Sequence, residues 1–182
     1  LGLDFESDSP VDIGATVTQQ YGFKLLEWLD RVIATGNGST TTALVNNGSS
    51  DNCAIASLAL SQTAFVCSEV GANTETLTVT DVNGNVSTCT TVVTVEDNVN
   101  PVAICQNITV QLDATGNASI TPAQVNNGSS DACGIASLAL DITTFNCANV
   151  NGNTVTLTVT DVNNNVSTCT AQVTIEDTIN PI

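Results

Sequence analysis

Positive charge is nearly missing from this chain. Its 182 residues hold two cations, Lys24 and Arg31, and no histidine. From Val32 to Ile182 there are 12 carboxylates and no Lys, Arg or His. No side-chain ion pair can form within that stretch, so its acids must face water or bind a metal cation. Nucleic acid is excluded as a partner, because phosphate binding needs clustered Lys and Arg. Anionic membrane surfaces are disfavoured on the same ground. Without His, and without a cation in this region to stabilise an oxyanion, hydrolytic chemistry lacks its parts. A pair of carboxylates could serve a glycosidase, but these acids fall in loops and linkers without an aromatic-lined sugar cleft. The chain reads as non-enzymatic.

Aromatic residues are also scarce, at 3%, and methionine is missing altogether. No apolar run approaches the ~20 residues that span a bilayer, so no membrane insertion is expected. The chain opens at Leu1 with neither an initiator Met nor a signal peptide, which reads as a mature fragment of something longer. No pair of its seven cysteines has the CxxC spacing of a zinc or redox site. They point instead to disulfides in an oxidising, extracellular compartment.

What the chain does have is Thr, Val, Asn, Ser and Ala, with hydrophobic residues at 42%. β-branched residues suit a half-buried pleated surface, and Asn, Ser and Gly suit turns. An internal repeat organises them. Gly36–Val102 aligns without a gap on Gly116–Ile182 at an offset of 80, with 45 of 67 positions identical. Domain bounds follow: residues 1–31 stand outside the repeat, 32–100 form the first copy and 101–182 the second. The non-repeat segment is either the end of an upstream domain or a first strand for copy one.

Within the second copy, Thr154–Thr160 alternates with period two, placing Val155, Leu157 and Val159 on one face. A turn at Asp161–Asn165 leads into Val166–Glu176, completing a hairpin. Further strands are expected over Val102–Leu112, Ala118–Val125, Ile135–Asp141 and Thr143–Cys147. Six or seven short strands in about 80 residues predict an all-β fold of tandem immunoglobulin-like Greek-key β-sandwiches. The segments PVAICQNITV, SSDAC, TLTVTDVNNN and STCTAQVTIED resemble the hyalin repeat and related immunoglobulin-like repeats of bacterial surface proteins, notably adhesins and gliding-associated proteins of the Bacteroidetes. The resemblance covers about 36–182 and implies an extracellular stalk or adhesive module without catalysis. One departure is that the Cys-bearing first strand, supplied by Cys105 in copy two, has Leu25 at the equivalent place in copy one.

The copies align Cys53 with Cys133, Cys67 with Cys147, and Cys89 with Cys169. Four cysteines in copy two allow three connectivities. First and last strands run side by side in such sandwiches, which favours Cys105–Cys169; a loop clip Cys133–Cys147 remains, and Cys53–Cys67 follows by repetition. Cys89 is then left unpaired. Cys105 has opposite parity to Ile108, Val110 and Leu112, so the first strand needs a bulge or sheet switch near Gln106–Asn107.

In a seven-stranded sandwich the loop holding Asp131 and the loop holding Asp161 and Asn163 return to the end where the chain enters. The linker Glu96, Asp97 and Asn100 enters that same end, and it resembles the acidic Asx-rich junctions of cadherins. These six residues are the candidate ligands of a Ca²⁺ ion, which takes six to eight hard oxygen atoms. The competing reading is turn chemistry without metal, since Asx side chains also bond their own backbone. The expected function is a structural or adhesive extracellular segment, a stalk stiffened by calcium at the inter-repeat junction. Two alternatives stand beside it: a filament subunit that polymerises by strand donation, and an adhesin module that grips surface glycan or protein. Neighbouring repeats or like subunits are the partners expected in the first two cases.

Overall fold

The computed structural model describes residues 36–180. The proposed roles of residues 1–31, and of Leu25 opposite Cys89, lie outside them. Copy one contains β1 (Asn37–Ser39), the single helical turn α1 (Thr42–Val45), β2 (Ile55–Leu60), β3 (Ala64–Val66), β4 (Gly71–Asp81) and β5 (Val86–Val95). Copy two repeats the order with β6 (Ile108–Gln111), β7 (Asn117–Ser119), α2 (Pro122–Val125), β8 (Ile135–Leu140), β9 (Thr144–Asn146), β10 (Asn151–Asp161) and β11 (Val166–Glu176). The architecture is all-β, a tandem of immunoglobulin-like sandwiches. Among the described residues no helix is long and apolar enough to cross a membrane.

The chain divides into two compact units. Of the described residues the first takes 38–65 and 69–95; the second takes 96–180 together with residues 36–37 and Val66–Ser68. In the second unit a four-stranded sheet has the order β6-β11-β10-β8. Antiparallel partners share a face, so Val155 opposite Ala171 and Leu157 opposite Cys169 point the same way. The alternation expected of Thr154–Thr160 is present: Val155, Leu157 and Val159 are fully buried, as are Val173 and Ile175 of β11. A two-stranded sheet of β7 and β9 supplies the facing layer. Phe145 on β9 fills the core with Leu112, Ile120 and Val125.

Two expected strands come out differently. Val102–Leu112 is broken: Val102 bridges Ser130, Cys105 bridges Asn126, and only Ile108–Gln111 runs parallel to β11. The chain therefore changes pairing partner at Gln106–Asn107, where the parity of Cys105 calls for a bulge or sheet switch. Ala118–Val125 is a three-residue strand followed by a helical turn. Pro122 at its start has no N–H to satisfy, and Gln124 Oε1 accepts the Thr121 N–H at 2.7 Å. The turn swings Val125 fully into the core.

The first unit has a three-stranded sheet β2-β4-β5 and the pair β1-β3. Among its described residues it buries Phe65, Leu77, Val79, Val93 and Val95. It also buries Thr40 and Glu75, at positions where copy two has Ile120 and Val155. Ser61 Oγ donates to Glu75 Oε2.

Cys105 and Cys169 form a disulfide with a Cα–Cα distance of 5.8 Å. The second disulfide is neither of the loop clips expected. Cys67 bonds Cys133, Cα–Cα 5.2 Å, leaving Cys53, Cys89 and Cys147 free. Cys133–Cys147 does not form because β8, which follows Cys133, pairs with β10, whereas β9, which precedes Cys147, pairs with β7. The two cysteines are thereby carried into different layers.

Replacing Cys105 and Cys169 together by Ala should destabilise the second unit by about 2–5 kcal/mol, the usual cost of losing a native disulfide from a small domain. Urea denaturation checks this. An unchanged midpoint would show that the core alone suffices.

Candidate metal site

The β10–β11 hairpin tip is built around one carboxylate. Asp161 is fully buried. Its Oδ1 accepts the N–H groups of Asn163 and Asn165, each at 2.8 Å, and its Oδ2 accepts from Asn165 Nδ2 at 2.8 Å. Asn164 takes a left-handed conformation, φ 72°, where copy one has Gly84 at 88°. Asn tolerates this conformation better than other side chains do, so the substitution keeps the turn. Asp81 holds the first hairpin by the same bonds. The Asn85 side chain, with the backbone N–H groups behind it, keeps the Asp81 carboxyl below the usual carboxylate range.

Asn165 does something further in the second unit. Its Nδ2 also donates to the Asp97 carbonyl at 2.9 Å, tying that segment to the hairpin tip. Asp97 is 6% exposed. Its Oδ1 accepts the Val99 N–H at 3.1 Å, while its Oδ2 is buried without any hydrogen-bond donor. Asn163 Oδ1 is a second buried acceptor in the same condition. Oxygen atoms of Asp97 and Asp131 and the Cys133 sulfur lie within 4.8 Å of one another. Asp131 Oδ2 is engaged by the Cys133 N–H at 2.7 Å. Burial, and after it the charges of Asp131 and Asp161, push the Asp97 carboxyl above its usual value, against the opposing Val99 hydrogen bond.

Of the six candidate ligands, then, Asp97, Asp131, Asp161 and Asn163 share one region of the second unit. Glu96 is half-buried and accepts from Asn98 Nδ2 at 3.3 Å; Asn100 is exposed. Neither belongs to the close group. Asp161 has its oxygens committed to the turn, so it acts as the brace of the loop. The link through Asn165 was not anticipated, although its place in the DxNxN turn was visible.

The oxygen set suits a hard divalent cation. Two carboxylates with no cation beside them among the described residues, one of them with an orphaned buried oxygen, are what a bound Ca²⁺ would satisfy. The Cys133 sulfur is a soft atom already joined to Cys67, and it fits calcium poorly.

No protein-family model matches the chain, and no curated protein matches it. Among solved structures it is similar to EC1-3 of mouse clustered PcdhgC3, at 13% identity and a TM-score of 0.32, over 63% of this chain and 48% of that one. It is similar also to EC1-2 of human mucin-like protocadherin, at 16% identity and a TM-score of 0.35, over 78% of this chain and 85% of that one. The chain thus matches about half the length of the mouse fragment. At this level of similarity the site has to be read from its own residues.

Asp161→Ala strands three donors at once and should cost at least ~3 kcal/mol whether or not calcium is present. Asp131→Ala loses one such bond and should cost clearly less. Thermal melts in chelator compare the two; equal losses would show that Asp161 is not the brace.

Asp97 also sets a pH dependence. Its folded pKa lies above the ordinary 3.8, so the folded state binds the proton more tightly than the unfolded one. Its contribution to stability is complete below that value and lost as pH rises through the raised one. In chelator, Asp97→Asn should therefore gain on the parent protein as pH climbs above 3.8. A constant difference between the two melting curves across that window would refute it.

Proposed function

We propose that this chain is a structural or adhesive extracellular repeat segment whose second sandwich holds a calcium ion through Asp97, Asp131 and the side-chain oxygen of Asn163. The observation that carries the reading is the Asp97 carboxylate, buried beside two further acids with one oxygen unpartnered. Leaving a charged acceptor unpaired inside a protein costs free energy, and no lysine, arginine or histidine after Arg31 relieves it. Calcium is the natural counter-charge. Three side chains supply fewer than the six to eight oxygens that the ion takes, so water and backbone carbonyls complete its shell. That composition fits the weak, ~10⁻⁴–10⁻³ M range of extracellular modules. The hyalin-type motifs and the tandem copies support the same setting, a bacterial cell surface where calcium is abundant.

What the ion would do follows from where its ligands sit in the chain. Asp97 belongs to the segment between the copies, and Asp131 and Asn163 belong to two loops of the second. Binding would fasten that segment to the loops and limit its swing. The result is a stiffer stalk outside the cell that loosens in chelator.

Titration with calcium should raise the melting point, by about 2.7 kcal/mol of stabilisation at a hundredfold excess over Kd. Asp97→Asn should melt at the same temperature with and without the ion. Small-angle scattering should show a narrower spread of sizes in calcium than in chelator. If calorimetry detects no binding at millimolar calcium, the acids serve only as turn formers and solubilising charge.

A further inference from the structure

The free cysteines Cys147 and Cys53 are the two halves of a bond that the structure already contains once. In copy one, Cys67 sits against Gly36: its sulfur lies 3.6 Å from the Gly36 carbonyl oxygen, and a Cβ on that glycine would come to 3.1 Å of it. In copy two, Cys147 occupies the same seat, 3.7 Å from the Gly116 oxygen, with a Cβ on Gly116 only 2.7 Å away. Both glycines have positive φ, 73° and 76°. Cys67 and Cys147 are therefore presented alike.

The receiving side matches as well. Cys133 follows Asp131, whose Oδ2 accepts its N–H at 2.7 Å, and the next residue, Gly134, has φ 111°. Cys53 follows Asp51, whose Oδ2 accepts its N–H at 2.8 Å, and the next residue, Ala54, has φ 156°. Cys67 and Cys133 are joined. Cys147 and Cys53, which carry the same local structure, are both exposed and both free.

We infer that Cys147 of one chain forms a disulfide with Cys53 of a second copy, linking chains head to tail. The pairing joins two different positions, so each linked chain keeps one unused cysteine and the linkage can propagate. It is independent of the calcium reading, since the bonded residues Cys147 and Cys53 lie outside the proposed ligand set. The oxidant is a low-molecular-weight disulfide such as glutathione disulfide. The Cys147 thiolate attacks it and expels one thiol; the Cys53 thiolate of the second copy then attacks the Cys147 sulfur and expels the other. Two protein thiols lose two electrons and two protons, and one small disulfide becomes two thiols.

The test uses the full chain with its two native disulfides, incubated in a glutathione redox buffer and quenched with an alkylating agent. Non-reducing electrophoresis should show a ladder of oligomers that collapses on reduction. With mixed light and ¹⁵N-labelled chains, peptide mapping should find Cys147 of one isotope joined to Cys53 of the other. Cys147→Ser and Cys53→Ser should each abolish the ladder, and mixing the two variants should restore dimers only. Mapping Cys67–Cys133 in each variant verifies the fold. The inference is overturned if the mixture stays monomeric, if Cys147 and Cys53 join within one chain, if only glutathione adducts form, or if the cross-links run through Cys89 or between identical cysteines.

Discussion

In a stretch that holds no Lys, Arg or His after Arg31, a buried carboxylate must find N–H donors, and much of this structure follows from how each acid finds them. Asp161 and Asp81 each gather two backbone N–H groups and an asparagine side chain, and in doing so they close the hairpins that follow the long strands β10 and β4. A related turn forms at the exposed Asp113, whose Oδ1 accepts the Thr115 and Asn117 N–H groups and the Thr115 hydroxyl. Charge-assisted bonds of this kind are stronger than neutral ones, and they fix the turns without any ion pair. Asp97 is the exception. It is nearly as deeply enclosed as Asp81, yet one oxygen has no donor, and the proposed calcium site rests on that asymmetry.

The two copies are nearly the same sequence but do not build equal cores. Copy two has Ile120 and Val155 where copy one has Thr40 and Glu75, and all four positions are buried. An aliphatic side chain at such a place contributes roughly 1.5–3 kcal/mol by its burial. A glutamate there must instead be bonded, here by Ser61, and Thr40 Oγ1 finds no partner. A repeat that tolerates polar groups in its core is weakly stabilised by packing, which raises the importance of covalent links. Cys105–Cys169 supplies such a link in copy two, whereas Cys89, at the position of Cys169, is free.

The long hairpins were legible because Thr and Val alternate over enough residues for period two to be unmistakable. The break in the first strand at Gln106–Asn107 was legible from the parity of one cysteine. The helical turn at Pro122–Val125 was not: four residues carry no periodicity, and only the Thr-Pro-x-Gln capping pattern signals it. At the site, sequence order was enough to bring Asp97, Asp131, Asp161 and Asn163 into one region. It was not enough to separate ligand from brace. Asp161 and Asp131 are the same residue type in similar Asx turns, and what distinguishes them is the number of donors each meets in three dimensions.

The cysteines show where a repeat misleads. An alignment at offset 80 identifies equivalent residues, but it cannot say whether a bond joins two positions of one copy or the same two positions taken from successive copies; both satisfy the same periodicity. Proximity in sequence favoured Cys53–Cys67 and Cys133–Cys147, separated by a short loop. The layers decide otherwise, because the loop between β8 and β9 crosses from one sheet to the other and carries its two ends apart. Once the bond runs from Cys67 to Cys133, the spacing acquires a direction along the chain. Each repeat then presents a donor cysteine beside a glycine and a receiving cysteine after an aspartate. A bond with such a direction has no internal reason to stop after one use, and the exposed Cys53 and Cys147 are the positions where it would be made again.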